Sequence, residues 1–218
     1  LVPNLPAAAE FTRLYSRPLA LDAGNNRGVQ ETTKGGYVQF DAKGELLGME
    51  YALNAGIRYV KTEQSSYGLV GAVEATIERS YDDWLPALHL RRDLDDDTSI
   101  RAALTRSVVR PTFGQLAPGF QIDGDEAEFG NPELKPLRSN NFDLGIEHRF
   151  GPASVVSAYG FYKDINNFAY RSNVAGSGLW AGFDEAVTFR NGDRSKLVGL
   201  ELAYTHAFKS LPAPWNGL

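Results

Sequence analysis

Two acidic clusters, Asp95-Asp96-Asp97 and Asp123-Gly124-Asp125-Glu126, carry the residue types that hold a hard cation, because calcium takes oxygen ligands. Neither completes a calcium loop: the second has Asp-x-Asp with Gly, but no Glu follows at the position that the loop requires. Both read as solvated turns or loops. Glycoside hydrolysis would need two carboxylates at a set separation across a cleft, and no spacing here pairs two. His89, His148 and His206 stand singly, without a His-x-x-x-His spacing. Ser107 and Ser157 sit in no Gly-x-Ser-x-Gly elbow. Cysteine is absent, so there is no disulfide, zinc thiolate or thiol nucleophile. The chain reads as no enzyme, with no catalytic residue, no metal site and no cofactor.

The better candidates lie in polar stretches. Phe120, Phe129, Tyr170, Trp180 and Phe183 could stack on a sugar ring or grip another ligand. Arg110, Arg138, Arg171 and Arg190 could hold carboxylate or phosphate groups. The ligand-binding set expected from the sequence is Arg110, Phe120, Phe129, Tyr170, Arg171 and Trp180. Packing within a loop, or a place in an interfacial belt, is the competing reading of each aromatic residue.

What positions them is written in an alternation. Met49, Tyr51, Leu53, Ala55, Ile57 and Tyr59 would share one face of a strand, against Glu50, Ala52, Asn54, Gly56, Arg58 and Val60. Phe142-Leu144-Ile146 and Val198-Leu200-Leu202-Tyr204 repeat the pattern. Strands are expected at residues 37–42, 49–61, 71–94, 99–108, 141–150, 154–165 and 197–208. Lys43-Gly44-Glu45 would make the first tight turn and Asp95-Asp96-Asp97 the second, with residues 151–153 the third. Pro86 should force a bulge, since proline cannot donate to a ladder. Residues 1–36, 62–70, 110–138 and 166–194 read as polar loops, and 209–218 as a closing turn.

Short turns alternating with long polar loops, between strands with one apolar face, spell an antiparallel transmembrane β-barrel whose long loops lie outside the cell. The fold class is therefore all-β. No run approaches the ~18 apolar residues that a membrane-spanning helix needs. A net charge of −5 without a basic stripe argues against nucleic acid. Twelve Phe, ten Tyr and three Trp suit interfacial girdles. The chain begins at Leu1 without a signal segment and reads as a piece of a longer protein.

Several ordered stretches resemble the barrels of TonB-dependent outer-membrane receptors of Gram-negative bacteria. They are Gly56-Ile57-Arg58-Tyr59-Val60-Lys61-Thr62, the run YDDWLPALHLRRDLDDDTSIRAALTRSVVRPTFGQLAP from Tyr81 to Pro118, and Gly130-Asn131-Pro132-Glu133-Leu134-Lys135-Pro136. Asn141-Phe142-Asp143-Leu144-Gly145-Ile146-Glu147, Phe161-Tyr162-Lys163-Asp164-Ile165 and Val198-Gly199-Leu200-Glu201-Leu202 follow in order. The tenor is that of a proteobacterial branch associated with oligosaccharide import.

The resemblance implies a barrel of about 22 strands, of which residues 1–218 would supply about seven. It implies an outer-membrane location, contact with lipid, and a plug domain, not recognised in this chain, through which the partner TonB acts. The implied function is energised uptake of a scarce nutrient, an oligosaccharide or a siderophore-like ligand. The alternation alone also fits a passive porin or adhesin barrel, or a soluble carbohydrate-binding β-sandwich.

Overall fold

The computed structural model describes residue 10 and residues 26–206 other than 71, 72, 152 and 153. Seven long strands form one antiparallel sheet in the order β1-β2-β3-β4-β7-β8-β11. They are β1 (Gly28–Leu46), β2 (Met49–Val70), β3 (Val73–Asp93), β4 (Thr98–Val109), β7 (Leu137–Arg149), β8 (Ser154–Asn166) and β11 (Arg194–His206). A second, four-stranded sheet in the order β5-β6-β10-β9 is built from the connections: β5 (Phe120–Asp123), β6 (Glu126–Phe129), β9 (Ala169–Asn173) and β10 (Glu185–Asn191).

Register turns the alternation into surfaces. Phe40, Ala55, Leu88, Leu104, Phe142, Tyr162 and Val198 form one continuous cross-strand row. Ala42, Leu53, Leu90, Ala102, Leu144, Gly160 and Leu200 form the row beside it. Both rows lie on one face, and most of their large side chains are exposed. Between them, on the other face, runs Asp41, Asn54, His89, Ala103, Asp143, Phe161 and Gly199. The apolar face ends in aromatic residues. Tyr59 and Trp84 lie 4.8 Å apart toward the long connections, and Phe150 stacks on Tyr204 at 5.8 Å beside the short turns.

Among the described residues no layer covers the apolar face, whereas the inner faces of a β-sandwich pack against each other. The four-stranded sheet and its loops meet the polar face instead. Gln64 Nε2 donates to Pro132 O at 3.5 Å, and Arg79 Nη1 to Leu134 O at 3.0 Å. The polar residues Thr62, Gln64 and Ser66 are consequently buried.

Strand boundaries differ from the sequence expectation in an instructive way. β1 begins at Gly28, so residues 28–36 are strand and not loop; they pair from Gly28↔Tyr67 to Gly36↔Tyr59. β2 and β3 continue past the apolar rows until Val70 pairs with Val73, so the expected loop at 62–70 is also strand. These extensions show no apolar alternation because neither face meets lipid; backbone pairing and the covering loops hold them. The first turn is Leu47-Gly48, not Lys43-Gly44-Glu45. Both residues have positive φ, 55° and 72°, the combination that matches the twist of a two-residue hairpin.

Pro86 makes no bulge toward β2, where Ile57↔Pro86 continues an unbroken register. On its other side the ladder to β4 stops at Ala87↔Thr105. The missing donor thus coincides with the point where β3 and β4 part. Asp95 closes the next turn by accepting from the backbone N–H of Asp97 at 2.9 Å and of Thr98 at 2.7 Å. The expected closing turn at 209–218, the end of the last expected strand, and residues 1–25 apart from residue 10 lie outside the described residues.

Candidate functional site

Two connections leave the same end of the sheet: residues 110–136 between β4 and β7, and 167–193 between β8 and β11. Both are long and polar, as the sequence suggests, yet neither is irregular. In the first, α1 (Phe113–Leu116) is a single turn with a capping box. Gln115 N–H donates to Thr112 Oγ1 at 3.4 Å, while Gln115 Oε1 accepts from Thr112 N–H at 2.9 Å, two orphan donors satisfied reciprocally. Leu116 is wholly buried beneath it.

Gly130 then passes so close to Ala117 O and Gln115 O that a Cβ would collide with both. That approach lets Asn131 N–H donate to Gln115 O at 2.6 Å. Pro132 and Pro136 are buried, and their fixed φ stiffens the return into β7, as the sequence suggests. Asp123-Gly124-Asp125-Glu126 is the β5–β6 hairpin, with Gly124 at φ 58°.

In the second connection Asn173 Oδ1 accepts from the backbone N–H groups of Ala175 and Ala186, at 2.9 and 3.0 Å. A 3-10 turn, Gly178–Trp180, follows. The connections are joined by a parallel ladder between β6 and β10, Glu185↔Glu126 to Val187↔Glu128. Ala127, Ala186 and Val187 are buried along it. Asn131 Nδ2 donates to Phe189 O at 2.9 Å, and Asn191 clasps the backbone of Lys135 from both sides at 2.8 and 3.0 Å. The result is one body composed of both connections.

Inside that body Trp180 is a hub. Phe129 stacks on it at 4.6 Å and 15°, while Phe120 and Phe183 meet it edge-on at 5.8 and 5.1 Å. These rings line a cavity of about 680 Å³ together with Ile77 from β3 and Val174, Leu179, Thr188 and Arg190 from the second connection. Its size falls within the usual range of small-molecule sites.

Of the six residues expected from sequence, the fold brings Phe120, Phe129 and Trp180 together here and disperses the rest. Arg110 pairs with Glu31 on β1 at 2.9 Å. Arg171 faces Glu128 at 3.6 Å, and Tyr170 lies 6.2 Å from Phe168. Arg138 is engaged by Asp83. Sequence reasoning does not single out Thr188, which sits in the short apolar run Val187-Thr188-Phe189 without any periodic signal.

A second hollow, about 670 Å³, lies along the polar face of the wall between Asn54, His89, Arg101 and Tyr159. Tyr159 OH donates to Glu147 Oε1 at 2.9 Å, and Arg101 Nε to Glu147 Oε2 at 3.1 Å. Among the described residues no group of His, Cys, Asp or Glu is arranged to hold a metal ion.

A single-layer antiparallel wall, apolar outward and polar inward, with elaborated connections at one end and tight turns at the other, is the wall of a transmembrane β-barrel. The chain belongs to the TonB dependent receptor-like, beta-barrel family, which it matches over residues 4–218. It is accordingly an outer-membrane protein of a Gram-negative bacterium.

Among solved structures it is similar to the copper transporter OprC, with a TM-score of 0.58 and 17% identity over 83% of this chain and 27% of that one. It is also similar to the siderophore receptor PirA from Pseudomonas aeruginosa, with a TM-score of 0.49 and 16% identity over 81% and 39%. At 17% identity the likeness to OprC is one of fold. The chain spans less than half the length of either.

Proposed function

We propose that this chain forms part of the wall and outer ligand-capturing surface of a receptor that takes up a scarce nutrient by energised transport. The observation that carries the reading is the fusion of two outer connections into one body around an aromatic cavity, above a polar inner wall. Loops that served only to close a pore would need no such cavity. Phe120, Phe129 and Trp180 are the proposed ligand contacts. Arg110, Tyr170 and Arg171 contribute as supports of the surrounding loops, since each is engaged elsewhere in the fold. TonB, acting through a plug in the complete protein, is the proposed energy-coupling partner.

The cargo follows from family membership only in its coarse class, a small nutrient molecule. A siderophore-like ligand suits the apolar cavity better than an oligosaccharide, because sugar hydroxyls need more free polar partners than the cavity offers. Uptake of labelled ferric siderophores and labelled oligosaccharides by cells carrying the parent gene tests the reading. Accumulation should collapse on adding a protonophore or deleting TonB. Accumulation unaffected by either treatment would identify a passive pore.

A further inference from the structure

We propose that the cavity between the two outer connections binds a single aryl ring bearing one carboxylate group. The inference rests on the receptor reading above and specifies the ligand class for that site. Three features define the class. The first is the wall: Trp180, its ring neighbours, and the apolar side chains of Ile77, Val174 and Leu179 line the hollow. A flat apolar ring gains offset or edge contacts against such a wall.

The second feature is Arg190. Ion pairs engage Arg110, Arg138, Arg171 and Arg194 with Glu31, Asp83, Glu128 and Asp164 respectively. Arg190 lines the cavity, and among the described residues it has no acidic partner within ion-pair distance. A guanidinium left open in this way presents a planar fork of donors, the geometry that carboxylates accept. Among the described residues Glu133 is the one carboxylate lining the same cavity, so the site favours a single negative charge over several.

The third is Thr188. It is 7% exposed and lines the cavity, and its Oγ1 is sealed from solvent without a hydrogen-bond partner. An unsatisfied buried hydroxyl is unfavourable, so it gains from any partner that a change of χ1 brings within reach. A polar edge group on the ring supplies that partner. A sugar fits poorly. The Asn131 amide is already used, donating to Phe189 O and accepting from Glu133 N–H, so several sugar hydroxyls would be desolvated without partners.

The test uses the full-length parent receptor purified in detergent, with benzoate as probe, benzyl alcohol as its uncharged counterpart and glucose as the sugar control. Saturation-transfer NMR and titration give relative affinities. Benzoate is expected to bind about tenfold more tightly than benzyl alcohol, the factor that one charge-assisted contact supplies, and glucose not at all. R190Q should remove the benzoate preference, weakening benzoate far more than benzyl alcohol.

T188V, which keeps the volume, should weaken benzoate and raise the melting temperature of the unliganded protein; a merely structural threonine would not change affinity. Benzoate affinity untouched by R190Q, or glucose competing equally, would overturn the proposal. Energised uptake in cells is scored separately. Uptake without benzoate binding sinks only the aryl-anion inference, whereas benzoate binding without energised uptake sinks only the transport reading.

Discussion

Arg138 on β7 donates to the Asp83 carboxylate on β3, reaching past β4 where the β3–β4 ladder has already ended. Asp83 is 4% exposed, so its carboxylate is withdrawn from water against that partner. The pair bridges the gap that opens beyond Ala87↔Thr105, and so holds the upper wall together where backbone bonds do not.

Removing Arg138 leaves the Asp83 carboxylate buried and uncompensated. R138Q in the full-length protein is expected to cost about 3 kcal/mol, and D83N less, because the stranded Arg138 is a quarter exposed. The double variant should lose far less than the sum, since neither group is then stranded. Chemical unfolding followed by heat-modifiable gel mobility measures all three. Additive losses would mean that the two residues do not interact.

The apolar rows make a sided prediction. Leu144 sits mid-row on the lipid face, and Asp143 beside it points the other way. L144R should destabilise the barrel by about 2–4 kcal/mol, the cost of a cation near the bilayer centre. D143R should fold and insert with nearly normal yield. Outer-membrane yield and unfolding midpoint separate the two. Equal damage from both would reject the assignment of faces.

Asn191 is a clasp between the outer connections, since its Nδ2 also donates to Asn167 O at 2.8 Å. N191D keeps the shape but removes both donations, setting a carboxylate against two carbonyls. Amide exchange around residues 130–136 and 167–170 should accelerate, while global stability falls by no more than about 1–2 kcal/mol. N191A should act similarly but less strongly. A uniform rise in exchange across β7 and β8 would show instead that the loop body is integral to the wall.

The β3–β4 turn lies outside the membrane span, and there the backbone N–H of Asp97 and the Thr98 side chain and N–H hold the Asp95 carboxyl below its ordinary value. A depressed carboxyl contributes stability above its unfolded value, and loses that contribution as pH falls through the folded value. The Thr98 amide resonance should therefore titrate with a midpoint under the ordinary 3.8. In D95N the resonance should stay flat, because the amide oxygen accepts the same bonds without titrating. A midpoint above the ordinary value would reverse the sign and refute the capping role.

Residue periodicity by itself determined the central wall. Alternation from Met49 to Tyr59, at 142–146 and at 198–204 can satisfy lipid on one side and water on the other in only one register, because a one-residue slip exchanges the faces. The tight turn at 95–97 was equally legible from its chemistry, and Pro132 and Pro136 announced a stiff return. The polar extensions of β1, β2 and β3 were not legible, since no lipid boundary writes a pattern into them. Nor was the turn at Leu47-Gly48, where a leucine accepts positive φ to keep the apolar rows aligned.

Sequence also named the aromatic residues that gather at Trp180, but not their meeting, which spans two connections separated by β7 and β8. Tertiary structure alone decided that Arg110, Arg138 and Arg171 are engaged and Arg190 is not. Which cation finds a carboxylate depends on the β6–β10 ladder and on how the loop body lies against β1 to β3. Those are long-range pairings, and local residue order holds no trace of them.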